Sequence, residues 1–258
     1  MKRKQGFTLI ELLVVIAIIG LLLAVIIPAL RTAKRQATGI VCMSNLNSLS
    51  KGWYMYQNEY DGNLIGGSTY TSTDYRWVEP PMDDNGNLVS GAAMTHETRL
   101  NGIIAGTMWP YIESTEVYHC PSDRQWLTES IPRDRYRTYA VTGLMNGEDL
   151  SERVINFPSG PKTLYCVKEY QRIVAPGNKH IFVEENAGQD YNLGSWVVMN
   201  SNNPDSWWDP LAIWHNDRST LGFADGHAEK HHWLDRRTIE LAENWISSDY
   251  IQPDNPDL

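Results

Sequence analysis

Between residues 12 and 30 the chain carries no charged side chain, and one carboxylate, Glu11, stands at the entrance to that run. As a helix, residues 7–30 cover about 36 Å at roughly 1.5 Å per residue, enough to cross a hydrocarbon core of about 30 Å. The segment is expected to span a membrane. A carboxylate at the centre of such a helix costs on the order of 2.5 to 3.5 kcal/mol, and less near the end, where Glu11 can reach the headgroups. A removable secretory signal fits less well. Its basic start is present in Lys2, Arg3 and Lys4, but the apolar stretch exceeds the usual ~7 to 15 residues and no small-x-small cleavage site comes after it. With Arg31, Lys34 and Arg35 just beyond the span, charge bias turns the N-terminus only weakly towards the cytoplasm.

Past the span the helical period continues. Cys42, Leu46, Leu49, Trp53, Tyr56 and Tyr60 fall at steps of three and four, which lays them on one helical face. Asp61-Gly62-Asn63 supplies a stop. Span and stem together predict a rod of about 54 residues, on the order of 80 Å long. A kink or local unwinding is expected near Pro28 or Gly39. The remaining chain, about 195 residues beyond the stem, suffices for one sizeable domain. The net charge of −9 argues against a nucleic-acid binder, which needs a basic stripe.

In this second part the strand signal is densest late, at 163–167, 180–184, 196–199 and 220–224, while 61–75, 83–92 and 200–206 have loop composition. Asp225-Gly226 predicts a two-residue hairpin turn. Folding across it pairs Phe223 with Ala228 and Leu221 with Lys230 on one face, and puts His227, Glu229 and His231 on the other. Asp235 then caps a helix running to about Ile246, with Leu234 and Ile239 as a hydrophobic staple, and the tail QPDNPDL ends the chain.

The short basic leader ahead of Gly6-Phe7-Thr8-Leu9-Ile10-Glu11 and an apolar helix resembles the signal of type IV prepilins and type II secretion pseudopilins. The resemblance implies that a prepilin peptidase cuts between Gly6 and Phe7 and methylates the new amine, and that Glu11, now fifth in the chain, meets the Phe7 amine of a neighbouring subunit. Paired, the two charges favour one axial register; unpaired in lipid, both are costly. It further implies an α+β, pilin-like fold: leader 1–6, membrane and filament-core helix 7–30, amphipathic stem 31–61, and a globular head 62–258 with an antiparallel sheet. The implied partners are other pilin or pseudopilin subunits, the peptidase, an assembly ATPase with its platform protein, and the membrane, with no nucleic acid. The implied location is the cytoplasmic membrane, head outside, then a periplasmic or cell-surface filament.

A second resemblance lies late in the chain. His215, nine intervening residues and Asp225-Gly226 are similar to the H-x9-DG pattern of large pseudopilin-like proteins, which also carry counterparts of CMSNLNSL on the stem and of Cys120-Pro121-Ser122-Asp123. His215 is expected to lock the Asp225 turn by a hydrogen bond. His215, His227, His231 and His232 invite a metal reading, but His227 and His231 would stand about 13 Å apart along a strand, and His231 and His232 on opposite faces. No metal or other cofactor is assigned. No nucleophile elbow, zincin motif, P-loop or dinucleotide fingerprint occurs, so no catalytic residue is assigned; Glu184-Glu185 has the look of solvated surface, and Trp207-Trp208 could stack on a sugar in a helix-anchored binding module. The three cysteines, Cys42, Cys120 and Cys166, allow three single pairings or none. Cys42 with Cys120 is favoured, since Cys42 lies on the stem's buried stripe and Cys166 in the apolar stretch TLYCV suits a buried small hydrophobe.

Overall fold

The computed structural model describes residues 8–69, 75–123, 137–147, 153–157, 160–186, 194–196, 209 and 211–243, with the backbone alone for 92, 153–157, 160–164, 237 and 241. Its first element, α1, runs from Leu9–Glu59, 51 residues, unbroken through both Pro28 and Gly39. The expected unwinding is absent. Gly39 serves packing instead, because a Cβ there would lie 2.8 Å from Lys230 Nζ and 3.1 Å from His215 Cγ. The helix stops where Asp61 and Gly62 take positive φ, 55° and 84°, and Gly62 N–H donates to Gln57 O at 2.7 Å. Tyr60 falls past the last helical residue and so leaves the buried stripe: it is 42% exposed and stacks on Tyr56.

The described residues form seven strands: β1 Tyr139–Thr142, β2 Arg153–Phe157, β3 Gly160–Leu164, β4 His180–Glu184, β5 Ser195–Trp196, β6 Arg218–Phe223 and β7 Ala228–His232. Five of them form one sheet in the order β5-β1-β4-β6-β7, and β2 pairs with β3 as a separate hairpin. The α+β, pilin-like expectation holds, with one refinement: β5 joins β1 in parallel, so the sheet is mixed at that edge. In a stretch of weak helical patterning, α3 Trp109–Ile112 packs beside the stem and α2 His96–Ala105 packs on α3.

The sheet lies between two apolar layers because successive strand residues face opposite sides. Cys42, Leu46, Leu49, Trp53 and Tyr56 of α1 join Tyr139, Val141 and Phe182 on one side, and Ile181 reaches the same layer where the register of β4 shifts between His180 and Phe182. Ala140, Val183, Trp196, Leu221, Phe223 and Trp233 form the other, with Ile239 of α4, Arg236–Glu243, against them. Gly222 lets the stem approach β6, since a Cβ there would overlap the Ser50 side chain.

The 225–226 hairpin is one residue out of the expected register. Gly222 pairs with Ala228 and Leu221 with Glu229, because the loop has three residues, with Gly226 in the left-handed region at φ 94°. Gly226 N–H donates to Phe223 O, the geometry of a turn closed by a bulge. A slip of one exchanges the faces: Leu221 and Phe223 lie with His227 and His231, away from the stem, and His227 stacks on Phe223. The strand expected at 163–167 is shifted, since β3 ends at Leu164, and β1 and β2 add to the expected set. Ile239 N–H donates to Asp235 O, which agrees with Asp235 at the helix start, but Leu234 is 73% exposed and makes no staple; Trp233 enters the core in its place. The continuation to Ile246, the tail, residues 197–206 and Trp207-Trp208 lie outside the described residues.

Candidate functional site

Two places carry the chemistry. At the start of α1, Thr8 has the extended backbone of a helix cap, and Thr8 and Glu11 form a reciprocal capping box. Glu11 N–H donates to Thr8 Oγ1 at 3.3 Å, while Thr8 N–H and Oγ1–H both donate to Glu11 Oε2 at 2.8 Å. The lone subunit therefore already stabilises the Glu11 charge, helped by the positive end of the helix dipole. Among the described residues Oε1 has no partner. Gly6 and Phe7 lie outside the described residues. Residues 8–37 are all exposed; Arg31, Lys34 and Arg35 line a cleft with Asn186, Asp217 and Glu243 of the head, and the apolar part before them, residues 9–30, extends roughly 33 Å beyond. It is long and apolar enough to cross a membrane.

Where the helix enters the head, four side chains from distant parts of the chain converge. Cys42, Cys120, Glu184 and His215 are all buried, and their donor atoms lie within 4.8 Å of one another. His215 Nε2 lies 3.0 Å from Glu184 Oε1 and 3.5 Å from Cys120 Sγ. Glu184 Oε2 accepts from Thr220 N–H at 2.8 Å, and Cys120 N–H donates to Thr138 Oγ1 at 2.6 Å. The sulfurs of Cys42 and Cys120 are 2.7 Å apart.

Three expectations change here. His215 does not lock the Asp225 turn; Asp225 Oδ1 is held by Nδ1 and N–H of His227, its neighbour across Gly226, while His215 points to the stem. Glu184 and Glu185 are buried, not solvated, because β4 is the central strand of the sheet and its end is covered by the 211–220 segment. Cys166 is half-buried outside any strand, its thiol directed at Gly143 O. The hairpin histidines spread apart, His231 against Trp233 and His232 exposed.

Burial works against a charged His215, but the hydrogen bonds with Cys120 and Glu184 and the Glu184 charge outweigh it and hold the imidazole up at about 10. A folded value above the ordinary 6.5 stabilises the head fully below that pH, and the contribution is lost as pH rises through about 10. Thermal melts of the detergent-solubilised, reduced chain, in which Cys120 is a free thiol, should fall more steeply from pH 6 to 10 for wild type than for His215→Gln. Parallel curves would show that the imidazole carries no charge in the folded head.

The first 27 residues match the family model described as the prokaryotic N-terminal methylation motif. The wide type IV pilus major component PilA4 of Thermus thermophilus is 36% identical over 114 residues, 42% of this chain and 81% of that protein. The chain belongs to the type IV pilin family. The pilin is also similar to the type IV major pilin protein PilE1 of Neisseria gonorrhoeae, 32% identical over 108 residues, 41% of this chain and 58% of that protein. A fimbrial protein of Neisseria meningitidis is 37% identical over 76 residues, 28% of this chain and 45% of its own length. No solved structure matches the pilin.

Proposed function

We propose that this pilin works by assembly, as a minor or specialised subunit of a type IV pilus-like or type II secretion filament, and does no chemistry of its own. The observation that carries the reading is the bare apolar part of α1: residues 9–30 are exposed along their whole length, and such an arm is stable only in lipid or against neighbouring arms. Glu11 is its one carboxylate, placed at its far end. On this reading a prepilin peptidase cuts between Gly6 and Phe7, and the methylated Phe7 amine of one subunit meets Glu11 of the next. The capping box holds Glu11 ready for that contact and keeps its cost low while the subunit waits in the cytoplasmic membrane, head outside. A platform protein and an assembly ATPase would then lift it into the filament. The size of the head supports a specialised subunit over a bulk one.

Glu11→Ala is expected to leave the Gly6 junction processed yet cut the variant's share of sheared filaments by tenfold or more, in line with the roughly 3 to 5 kcal/mol for stripping one partner from a buried charge pair. Quantitative mass spectrometry of filaments from cells expressing both forms measures it. Equal incorporation would refute the role given to Glu11.

A further inference from the structure

The loop that carries Cys120 grips α1 at three successive levels of one face. Ser122 Oγ donates to Thr38 Oγ1 at 2.8 Å, Cys120 Sγ meets Cys42 Sγ at 2.7 Å, and Asn45 Nδ2 donates to His119 O at 3.1 Å. Positions 38, 42 and 45 are four and three apart and so share a side of the helix. This grip stands where the stem leaves the head, because residues 8–37 are exposed and Cys42 is the first buried side chain of the stripe. The sulfurs are also too close to share an ion: two thiolates on one zinc, with bonds of about 2.3 Å at the tetrahedral angle, stay roughly 3.7 Å apart.

We infer that Cys42 and Cys120 are joined by a disulfide once the head is outside the cytoplasm, fastening head to stem at the point where load on the filament core enters the head. The inference rests on the proposed export of the head. A pull along α1 peels it from the head past Thr38 and Gly39, and the contacts there break one after another; a covalent bond at Cys42 blocks that path. The bond forms by exchange with the disulfide of an extracytoplasmic thiol oxidoreductase. One cysteine thiolate attacks that disulfide, giving a mixed disulfide, and the second displaces the carrier. Two electrons and two protons pass to the carrier, which leaves as a dithiol. Because the folded head buries both sulfurs, the exchange takes place while the 119–122 loop is still open. Cys166, half-buried and directed elsewhere, remains a thiol.

The test uses the full chain extracted from membranes, alkylated under denaturing, non-reducing conditions and mapped as peptides. The expected result is a Cys42 to Cys120 cross-linked peptide with alkylation on Cys166 only, and a melting temperature that reduction lowers by about 10 °C. Three alkylated cysteines would overturn the inference, whether the folded protein carries no ion or retains zinc in native mass spectrometry, and so would a cross-link through Cys166. The N-terminal peptide of the same digest separates the two readings. A chain starting at Phe7 with three alkylated cysteines sinks the disulfide alone; a cross-link on a chain that still starts at Met1 sinks the processing and leaves the bond.

Discussion

Gly6→Leu is expected to abolish processing, so that the protein accumulates with residues 1–6 attached and sheared filaments contain none of it. Two physical causes act in the same direction. On the proposed reading the peptidase works at the Gly6-Phe7 junction, where a branched side chain in place of the glycine hydrogen obstructs close approach to the backbone. Independently, an uncut chain would carry Lys2, Arg3 and Lys4 into the filament core next to Phe7. Burying an unpaired cation costs several kcal/mol, and the leader brings three of them. The loss should therefore exceed that of Glu11→Ala, which leaves a single unpaired cation, the Phe7 amine. Immunoblots that resolve the leader's mass, run on membrane and sheared fractions, give the answer. Normal processing of Gly6→Leu would contradict the junction.

Glu184→Ala should destabilise the head by about 3 to 5 kcal/mol, the usual cost of removing one partner from a buried charged pair. The substitution strands the His215 imidazole and the Thr220 N–H together, both inside the protein and both bonded to the carboxylate it removes. For a domain of this size that corresponds to a fall in melting temperature of roughly 10 °C. Glu184→Gln, which keeps an acceptor of the same shape, should lose less. Glu229→Ala, an exposed change on the edge strand β7, should stay within about 0.5 kcal/mol of wild type. If Glu184→Ala melts with the Glu229→Ala control, the buried pair contributes nothing.

The stem is legible in the sequence because a helix repeats its pattern over many turns: Cys42 to Tyr56 announce the buried face, and Asp61-Gly62 the stop. Shorter elements carry less. The hairpin at Asp225 is visible, yet a third loop residue moves the register by one and reverses both faces, and no local composition separates a two-residue turn from a turn closed by a glycine bulge. The convergence of Cys42, Cys120, Glu184 and His215 joins segments far apart in sequence, which only the completed sheet brings together. Glu184 is hidden by its type, since a glutamate beside another glutamate suggests surface. The apolar run IFV directly before it is the available sign that the strand, and its final carboxylate, belong inside. His215 shows the same limit from the other side: its spacing to Asp225-Gly226 marks it as worth attention, and its partner is the stem cluster and not the turn.

The central claim, that an apolar arm ending in Glu11 is exposed by a cut after Gly6 and built into a filament, is tested most directly by intact-mass and N-terminal peptide analysis of the membrane-extracted protein. The expected result is a chain that begins at N-methyl-Phe7. An intact Met1, or a terminus beyond Leu30, would contradict it.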